Sequence, residues 1–269
     1  MNTLEKLNAL RDVMRQAKID AYYIPTSDFH DSEYVGEYFK GRAWLSGFSG
    51  SAGVMVVTMK EACLWTDGRY FIQAEKQLAN STIKLMKMME PGVPTVSEYL
   101  KAQLTDGDVL AFDGRCVSYQ TMKEWQDLLP AVKIKTDLDV FETIWQDRPS
   151  LPQAKAFLLS DALSGKSMKD KLNDVRLKMQ EQGAEWHLLT TLDDLAWLFN
   201  MRGDDVSYSP VVLSYALISM NEVYLFVDEN KFDEAMKAVF EANHVQLLPY
   251  FEVYQKIASI QGKTMLNSK

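Results

Sequence analysis

The residue types best suited to chemistry gather in the run Trp44-Leu45-Ser46-Gly47-Phe48-Ser49-Gly50-Ser51-Ala52-Gly53, with Asp67-Gly68-Arg69-Tyr70 shortly after it. Glycine permits positive φ and close backbone approach, so such a loop can aim main-chain N–H groups at a ligand. A phosphate cradle is the first chemistry to test. Neither G-x-x-x-x-G-K-S/T nor G-x-G-x-x-G is present, and the spacing favours a tight loop feeding a buried strand. Ser49 and Ser51 are candidate nucleophiles, yet Gly47-Phe48-Ser49-Gly50 falls one residue short of a G-x-S-x-G elbow. A serine nucleophile also needs a base within hydrogen-bond reach, and His30 is the candidate on offer. No catalytic residue is assigned.

His30 lies in Ser27-Asp28-Phe29-His30-Asp31-Ser32-Glu33, where Asp28, His30, Asp31 and Glu33 could together hold a cation. The competing reading is structural: Ser27 or Asp28 caps a following helix, with Asp31 and Glu33 favourable in its first turn. His187 alternates with apolar neighbours and reads as a satisfied core or interface imidazole, and His244 as a surface residue. None of the three histidines belongs to H-E-x-x-H, so no metal ligand is assigned. Cys63 and Cys116 sit among apolar residues and read as buried, inert thiols rather than a disulfide framework. Asp67-Gly68-Arg69 reads as a turn, with Asp67 capping a helix that Arg69 begins and Arg69 pairing with it. Asp193 and Asp194 are expected to cap the helix over 195–199.

The elements that must position these residues alternate in type. A helix is expected from residue 4, with Leu4, Leu7, Leu10, Val13 and Met14 on one face and Asn2 or Thr3 as cap. Strands are expected over 21–24, 54–58, 62–66, 83–88, 109–112 and 132–135, and helices over 69–78, 96–104 and 119–128. Arg148-Pro149-Ser150-Leu151-Pro152 reads as a linker, because two prolines so close discourage continuous helix. The grammar then restarts about 165 positions on: a helix over 166–182, a strand over 186–190, then a strand pair over 215–220 and 223–228 that echoes 54–58 and 62–66. Both halves therefore read as α/β, each with a mixed sheet flanked by helices, over 1–148 and 153–269. The second half stops after the counterpart of its partner's fifth strand, which suggests a chain cut before its second domain is complete.

Bulk properties narrow the partners. The chain has 269 residues, 47% hydrophobic and 25% charged, with a net charge of −8. This acidic balance argues against nucleic acid or an anionic membrane surface as partner. No apolar run reaches the roughly 18 residues that span a bilayer. The N-terminus lacks the basic and apolar regions of a signal peptide, so the chain reads as cytoplasmic.

Three motifs in order carry a resemblance. Ile24-Pro25-Thr26-Ser27-Asp28-Phe29-His30-Asp31-Ser32-Glu33-Tyr34, then Trp44–Gly53 with Leu64-Trp65-Thr66-Asp67-Gly68-Arg69-Tyr70, and last Leu192-Asp193-Asp194-Leu195-Ala196-Trp197-Leu198-Phe199-Asn200-Met201-Arg202-Gly203 resemble the N-terminal domains of the longer Xaa-Pro aminopeptidases (aminopeptidase P). The resemblance covers nearly the whole chain and implies two tandem creatinase N-terminal-like domains. It implies a further catalytic domain of pita-bread fold beyond Lys269, holding two divalent metal ions, commonly manganese, on two Asp, one His and two Glu. The metals would generate a hydroxide and polarise the scissile carbonyl, releasing the residue ahead of a proline. On this view the chain itself carries no cofactor. Its partners are its own catalytic domain, peptide substrates and a second copy in a homodimer. Arg42, Trp44, Gly47, Phe48, Ser49, Gly50 and Ser51 are expected to face a catalytic domain, of the same or a partner subunit, with Trp44 and Phe48 exposed as anchors. Against this stands the reading that Trp44 and Phe48 fill their own domain's core. A stand-alone α/β binding module and a creatinase or prolidase relative are the other functions compatible with the residues.

Overall fold

The computed structural model describes residues 1–267. The chain forms two compact units, the second beginning at Leu151, within the expected linker. Residues 268–269, the last of the expected second domain, lie outside the described residues.

The first unit opens with α1 (Thr3–Ala17), capped as expected by Asn2, whose side chain accepts from Glu5 N while Glu5 reaches back to Asn2 N. Such a reciprocal cap contributes about 1 kcal/mol. Then follow β1 (Ala21–Ile24), α2 (Gly41–Ser46), β2 (Val54–Thr58), β3 (Ala62–Thr66), α3 (Phe71–Leu78), β4 (Ile83–Lys87), α4 (Val96–Gln103), β5 (Val109–Ala111), α5 (Tyr119–Leu128), β6 (Lys133–Lys135) and α6 (Phe141–Ile144). The strands form one mixed sheet in the order β4-β3-β2-β1-β5-β6. β1 pairs antiparallel with β2 and parallel with β5, and β2–β3 is the expected hairpin.

Side chains two apart share a face, and the sheet uses both faces. Met55 and Val57 of β2, with Ala62 and Leu64 of β3, join Leu7, Leu10 and Met14 of α1 in one core. Val56, Cys63 and Trp65 join Leu100, Leu110, Phe112 and Trp125 in the other. A sheet buried on both sides needs apolar residues at successive positions, which is why β3 reads as an unbroken run rather than an alternation.

The second unit comprises β7 (Phe157–Leu158), α7 (Asp161–Ser164), α8 (Met168–Glu181), β8 (Trp186–Leu189), α9 (Leu192–Leu198), β9 (Met201–Arg202), β10 (Ser214–Ser219), β11 (Val223–Val227), α10 (Glu234–Ala242), β12 (Val245–Leu248), α11 (Val253–Ser259) and β13 (Thr264–Met265). Its main sheet runs β12-β11-β10-β8-β13. β8 is antiparallel to β10 and parallel to β13, and β10–β11 is a hairpin. This repeats the β4-β3-β2-β1-β5 arrangement of the first unit strand for strand, so the echo seen in the sequence is a duplication of topology.

Three local expectations are corrected. The helix placed from residue 69 begins at Phe71, with Tyr70 at its cap position and no side-chain cap. Asp67 instead closes a turn, its Oδ1 accepting from Arg69 N at 3.0 Å. Asp193 and Asp194 lie inside the first turn of α9 rather than at its cap, which is Thr191. There they complement the positive end of the helix without bonding to it.

Candidate functional site

The loop from Gly47 to Gly53 leaves the C-terminus of α2 through Gly47, whose φ of 76° places it in the left-handed region. That conformation is the common glycine exit from a helix. The loop is held by Arg42. Its Nε donates to Thr26 Oγ1 at 2.7 Å and one terminal nitrogen to the Phe48 carbonyl at 2.9 Å. The other terminal nitrogen donates to the Gly50 carbonyl. The guanidinium also lies 4.9 Å from the Phe48 ring centroid. Arg42 is 4% exposed, and burial draws its guanidinium down to about 10, which still leaves it charged at neutral pH.

Further bonds fix the loop's far side. Thr26 Oγ1 donates to the Gly53 carbonyl at 2.6 Å and Thr66 Oγ1 to the Ala52 carbonyl at 2.7 Å. Gly50 is required sterically, since a Cβ there would fall 2.3 Å from Phe48 Cζ and 2.9 Å from Tyr70 Cδ1. What the loop offers outward is Gly47, Ser49 and Ser51, all exposed.

The expected exposed aromatic anchors are therefore not there. Phe48 is 0% exposed and lies in the first unit's core with Leu45 and Tyr22. Trp44 is half-buried against the same core, stacked on Trp145 with ring centroids 5.1 Å apart and 18° between planes. Lys6 Nζ sits 4.4 Å from the centroid of the Trp44 ring. Both aromatics fill their own unit, the second of the two readings. The physical reason lies in Arg42: a guanidinium turned inward to bond loop carbonyls needs apolar walls to exclude water.

The candidate nucleophiles are engaged elsewhere. Ser49 Oγ accepts from Gln73 Nε2 and Gln77 Nε2, each at 3.0 Å, and Gln77 Oε1 accepts from Ser49 N at 3.0 Å. Ser51 Oγ pairs with Tyr70 Oη at 2.7 Å. These partners hold the serines as surface hydroxyls rather than activating them as an imidazole would. Gln73 and Gln77 were not singled out in the sequence, although their one-turn spacing on a helix after the loop places both amides on one face.

The Asp28–Glu33 segment is a turn, not the start of a helix. Asp28 Oδ1 accepts from His30 N at 2.8 Å and Ser32 N at 3.0 Å. Its other oxygen, Oδ2, is buried without a hydrogen-bond partner. Among the described residues, no three His, Cys, Asp or Glu side chains are grouped to hold a metal ion. The donor set that the resemblance implies for two divalent metals therefore does not fit here, and no chemical step is derived through one. His187 Nδ1 lies 3.1 Å from the Met265 carbonyl, so this imidazole is satisfied within its sheet. His244 is exposed at the end of α10, with φ of 57°.

Arg69 chelates Asp67 through Nε to Oδ1 at 2.9 Å and a terminal nitrogen to Oδ2 at 2.8 Å. This pair holds the Asp67 carboxyl below its ordinary range. A second network escaped the sequence reading. Arg115 chelates Asp113 at 2.9 and 2.8 Å and also reaches Asp139 at 3.3 Å, and Arg148 reaches Asp139 at 2.7 Å. Arg42 borders a cavity of about 30 Å³ shared with Asp113, Asp139 and Arg148. A volume of this size suits one water among polar partners.

Both cysteines have thiols pushed up by burial, Cys116 more strongly. Little thiolate forms near neutral pH, so iodoacetamide at pH 7.5 is expected to label neither side chain at the rate of an unfolded thiol. Labelling should accelerate sharply in denaturant. Cys63 is buried as expected and Cys116 only half-buried, so for Cys116 the prediction rests on its raised thiol. Mass spectrometry of the time course checks this, and rapid labelling of the folded protein at both positions would contradict it.

Comparison with known proteins follows the same division. The creatinase/prolidase N-terminal domain matches residues 6–148, and a second form of that family matches residues 147–269. The probable Xaa-Pro aminopeptidase P of Laccaria bicolor is 39% identical over 269 residues, spanning 97% of this chain and 41% of its own length. Xaa-Pro aminopeptidase 1 of Dictyostelium discoideum is 36% identical, spanning 96% of this chain and 43% of its own length. The crystal structure of X-prolyl aminopeptidase from Caenorhabditis elegans, described as a cytosolic enzyme with a di-nuclear active site, superposes with a TM-score of 0.91. It shares 35% identity and covers 96% of this chain and 44% of that one. The chain thus spans about two-fifths of the length of the relatives it matches.

Proposed function

Because the chain belongs to the creatinase/prolidase N-terminal domain family, twice in tandem, we propose that it acts as the non-catalytic N-terminal part of a metal-dependent Xaa-Pro aminopeptidase. Such an enzyme removes the first residue from peptides with proline in second position. The observation that carries this reading is the continuous similarity over 97% of the chain to a relative of which it spans only 41%. The reactive centre, two divalent metals with manganese as the expected ion, then belongs to the part of the relatives that this chain does not match. The role left to the two units is geometric.

An aminopeptidase must admit a free N-terminus and refuse internal peptide segments, so one side of its cleft has to be walled. The loop Gly47–Ser51 suits a wall. It is rigid, held from inside by Arg42, and outwardly it carries only glycine and serine. Its contact surface is consequently backbone and hydroxyl, facing a catalytic domain of the same or a partner subunit in a homodimer. Peptides are the substrates of the whole enzyme, and the cytoplasm is its compartment. Among the described residues no helix is long and apolar enough to cross a membrane.

The purified chain incubated with Mn²⁺ and Arg-Pro-Pro is expected to release no arginine above background, read by chromatography of the free amino acid. Release that follows the protein through successive purification steps would overturn the reading.

A further inference from the structure

The second sheet gathers several connections at one of its ends. β8, β11, β12 and β13 run parallel to one another and β10 runs against them, so the carboxyl ends of four strands lie together with the start of β10. Segment 203–213 enters β10 there, 228–231 leaves β11 and 249–251 leaves β12. Contacts across this end tie the connections to one another. Lys231 bonds Asp205, and Tyr215 stacks on Tyr250 with ring centroids 5.2 Å apart.

Segment 203–213 is a hairpin with a fixed base and an exposed tip. Asp205 N donates to the Val211 carbonyl at 3.2 Å and Ser209 N to the Val206 carbonyl at 3.1 Å. Val206, Val211 and Val212 are buried, and a Cβ on Gly203 would fall 2.5 Å from Val212 Cγ2. At the tip, Tyr208 is 100% exposed with φ of 66°. Left-handed backbone is sparsely populated by aromatic residues and persists only where the surroundings impose it. A ring left wholly in water also forgoes the stabilisation of burial. Both features are unfavourable in the chain alone, and a contact that covered the ring would offset them. Phe251 and Leu266, both exposed, add apolar surface just past β12 and β13. Asp204, Glu229 and Glu252 are exposed on the same connections and give this end an acidic rim.

We propose that this end of the second sheet is the docking face for the catalytic part of the parent polypeptide, with Tyr208 as its pin. The inference rests on the function proposed above. The chain spans only 41% and 43% of two relatives, and in that reading the further length continues from β13, which runs toward this end. The occupant is therefore tethered beside the hairpin. Its chemistry follows from the face: an apolar socket for the Tyr208 ring, an acceptor for its hydroxyl, and lysine or arginine opposite the acidic rim.

Tetranitromethane, which nitrates accessible tyrosines, tests this on the chain alone and on the polypeptide extended through its downstream coding sequence. Peptide mass spectrometry reads the modification. Tyr208 of the chain alone should react as fast as N-acetyltyrosinamide, and Tyr208 of the extended polypeptide at least about tenfold more slowly. Tyr208→Asn removes the ring and keeps the turn, because asparagine tolerates positive φ. Hydrogen exchange over 203–213 should be no faster in this variant of the chain alone. In the extended polypeptide the same substitution should accelerate it at least about tenfold. Faster exchange in the chain alone would mark Tyr208 as a merely structural residue and overturn the proposal. So would an extended polypeptide that releases arginine from Arg-Pro-Pro while its Tyr208 stays fully reactive, an outcome that leaves the proposed function standing. Protection of Tyr208 without peptide cleavage would support the docking face and sink the proposed function instead.

Discussion

Replacing Lys231 by methionine is expected to destabilise the second unit by about 3–5 kcal/mol. Lys231 Nζ bonds Asp205 Oδ2, and the two side chains are 3% and 0% exposed. Asp205 Oδ2 also accepts from Leu213 N at 2.7 Å, while its Oδ1 is buried without a partner. Burial already pushes the Asp205 carboxyl above its ordinary range in spite of the ammonium beside it. Removing the ammonium leaves an uncompensated buried charge, and that orphan rather than the lost attraction dominates the cost. Adding Asp205→Asn should therefore restore most of the loss, since asparagine still accepts from Leu213 without the charge. Urea unfolding read by hydrogen exchange at the amides of β11 measures both variants. A single variant as stable as the parent, or a double variant no better than the single, would refute this account.

Arg42→Met is expected to cost the first unit about 3 kcal/mol, because two inward-facing loop carbonyls lose their donor and each orphan costs roughly 1–3 kcal/mol. Methionine retains much of the side-chain volume, so the loss reports hydrogen bonding rather than a cavity. Arg42→Lys should recover little. One ammonium cannot reach Thr26 Oγ1, the Phe48 carbonyl and the Gly50 carbonyl in the fork geometry that the guanidinium supplies. Amide exchange over residues 47–53 is the discriminating measurement. It should accelerate in both variants well before global unfolding, and unchanged protection would mean that the loop is held by its other bonds.

What could be read from the residues was whatever is written locally. The hairpins at β2–β3 and β10–β11 show as paired apolar runs around a short polar turn. Asn2 and Thr95 announce their helices through a glutamate three residues on. The repeat was legible because both halves punctuate their strands alike. Strand order was not: nothing near Ala21 states that β1 lies between β2 and a β5 nearly ninety residues away. The loop illustrates the same limit. Its glycine and serine content marked it for attention, but the inward turn of Phe48 follows from Arg42 choosing carbonyl partners, which only the folded backbone supplies. Arg42 could have been suspected as a lone charge in the otherwise apolar Gly41–Leu45 stretch. Lys231–Asp205 and Lys171, whose ammonium is bonded to the Trp197 carbonyl at 2.7 Å, offered no such clue. Lysine beside asparagine or aspartate reads as ordinary surface.

The parallel indoles of Trp44 and Trp145 have an optical consequence. Two such chromophores in van der Waals range couple their excited states, and any in-plane skew between their transitions gives the first unit a signed band pair in its far-ultraviolet dichroism. One indole sits on the helix that launches the serine-rich loop, the other just past α6. The signal would therefore vanish when that helix detaches, giving the molecule an internal, label-free gauge of its own loop.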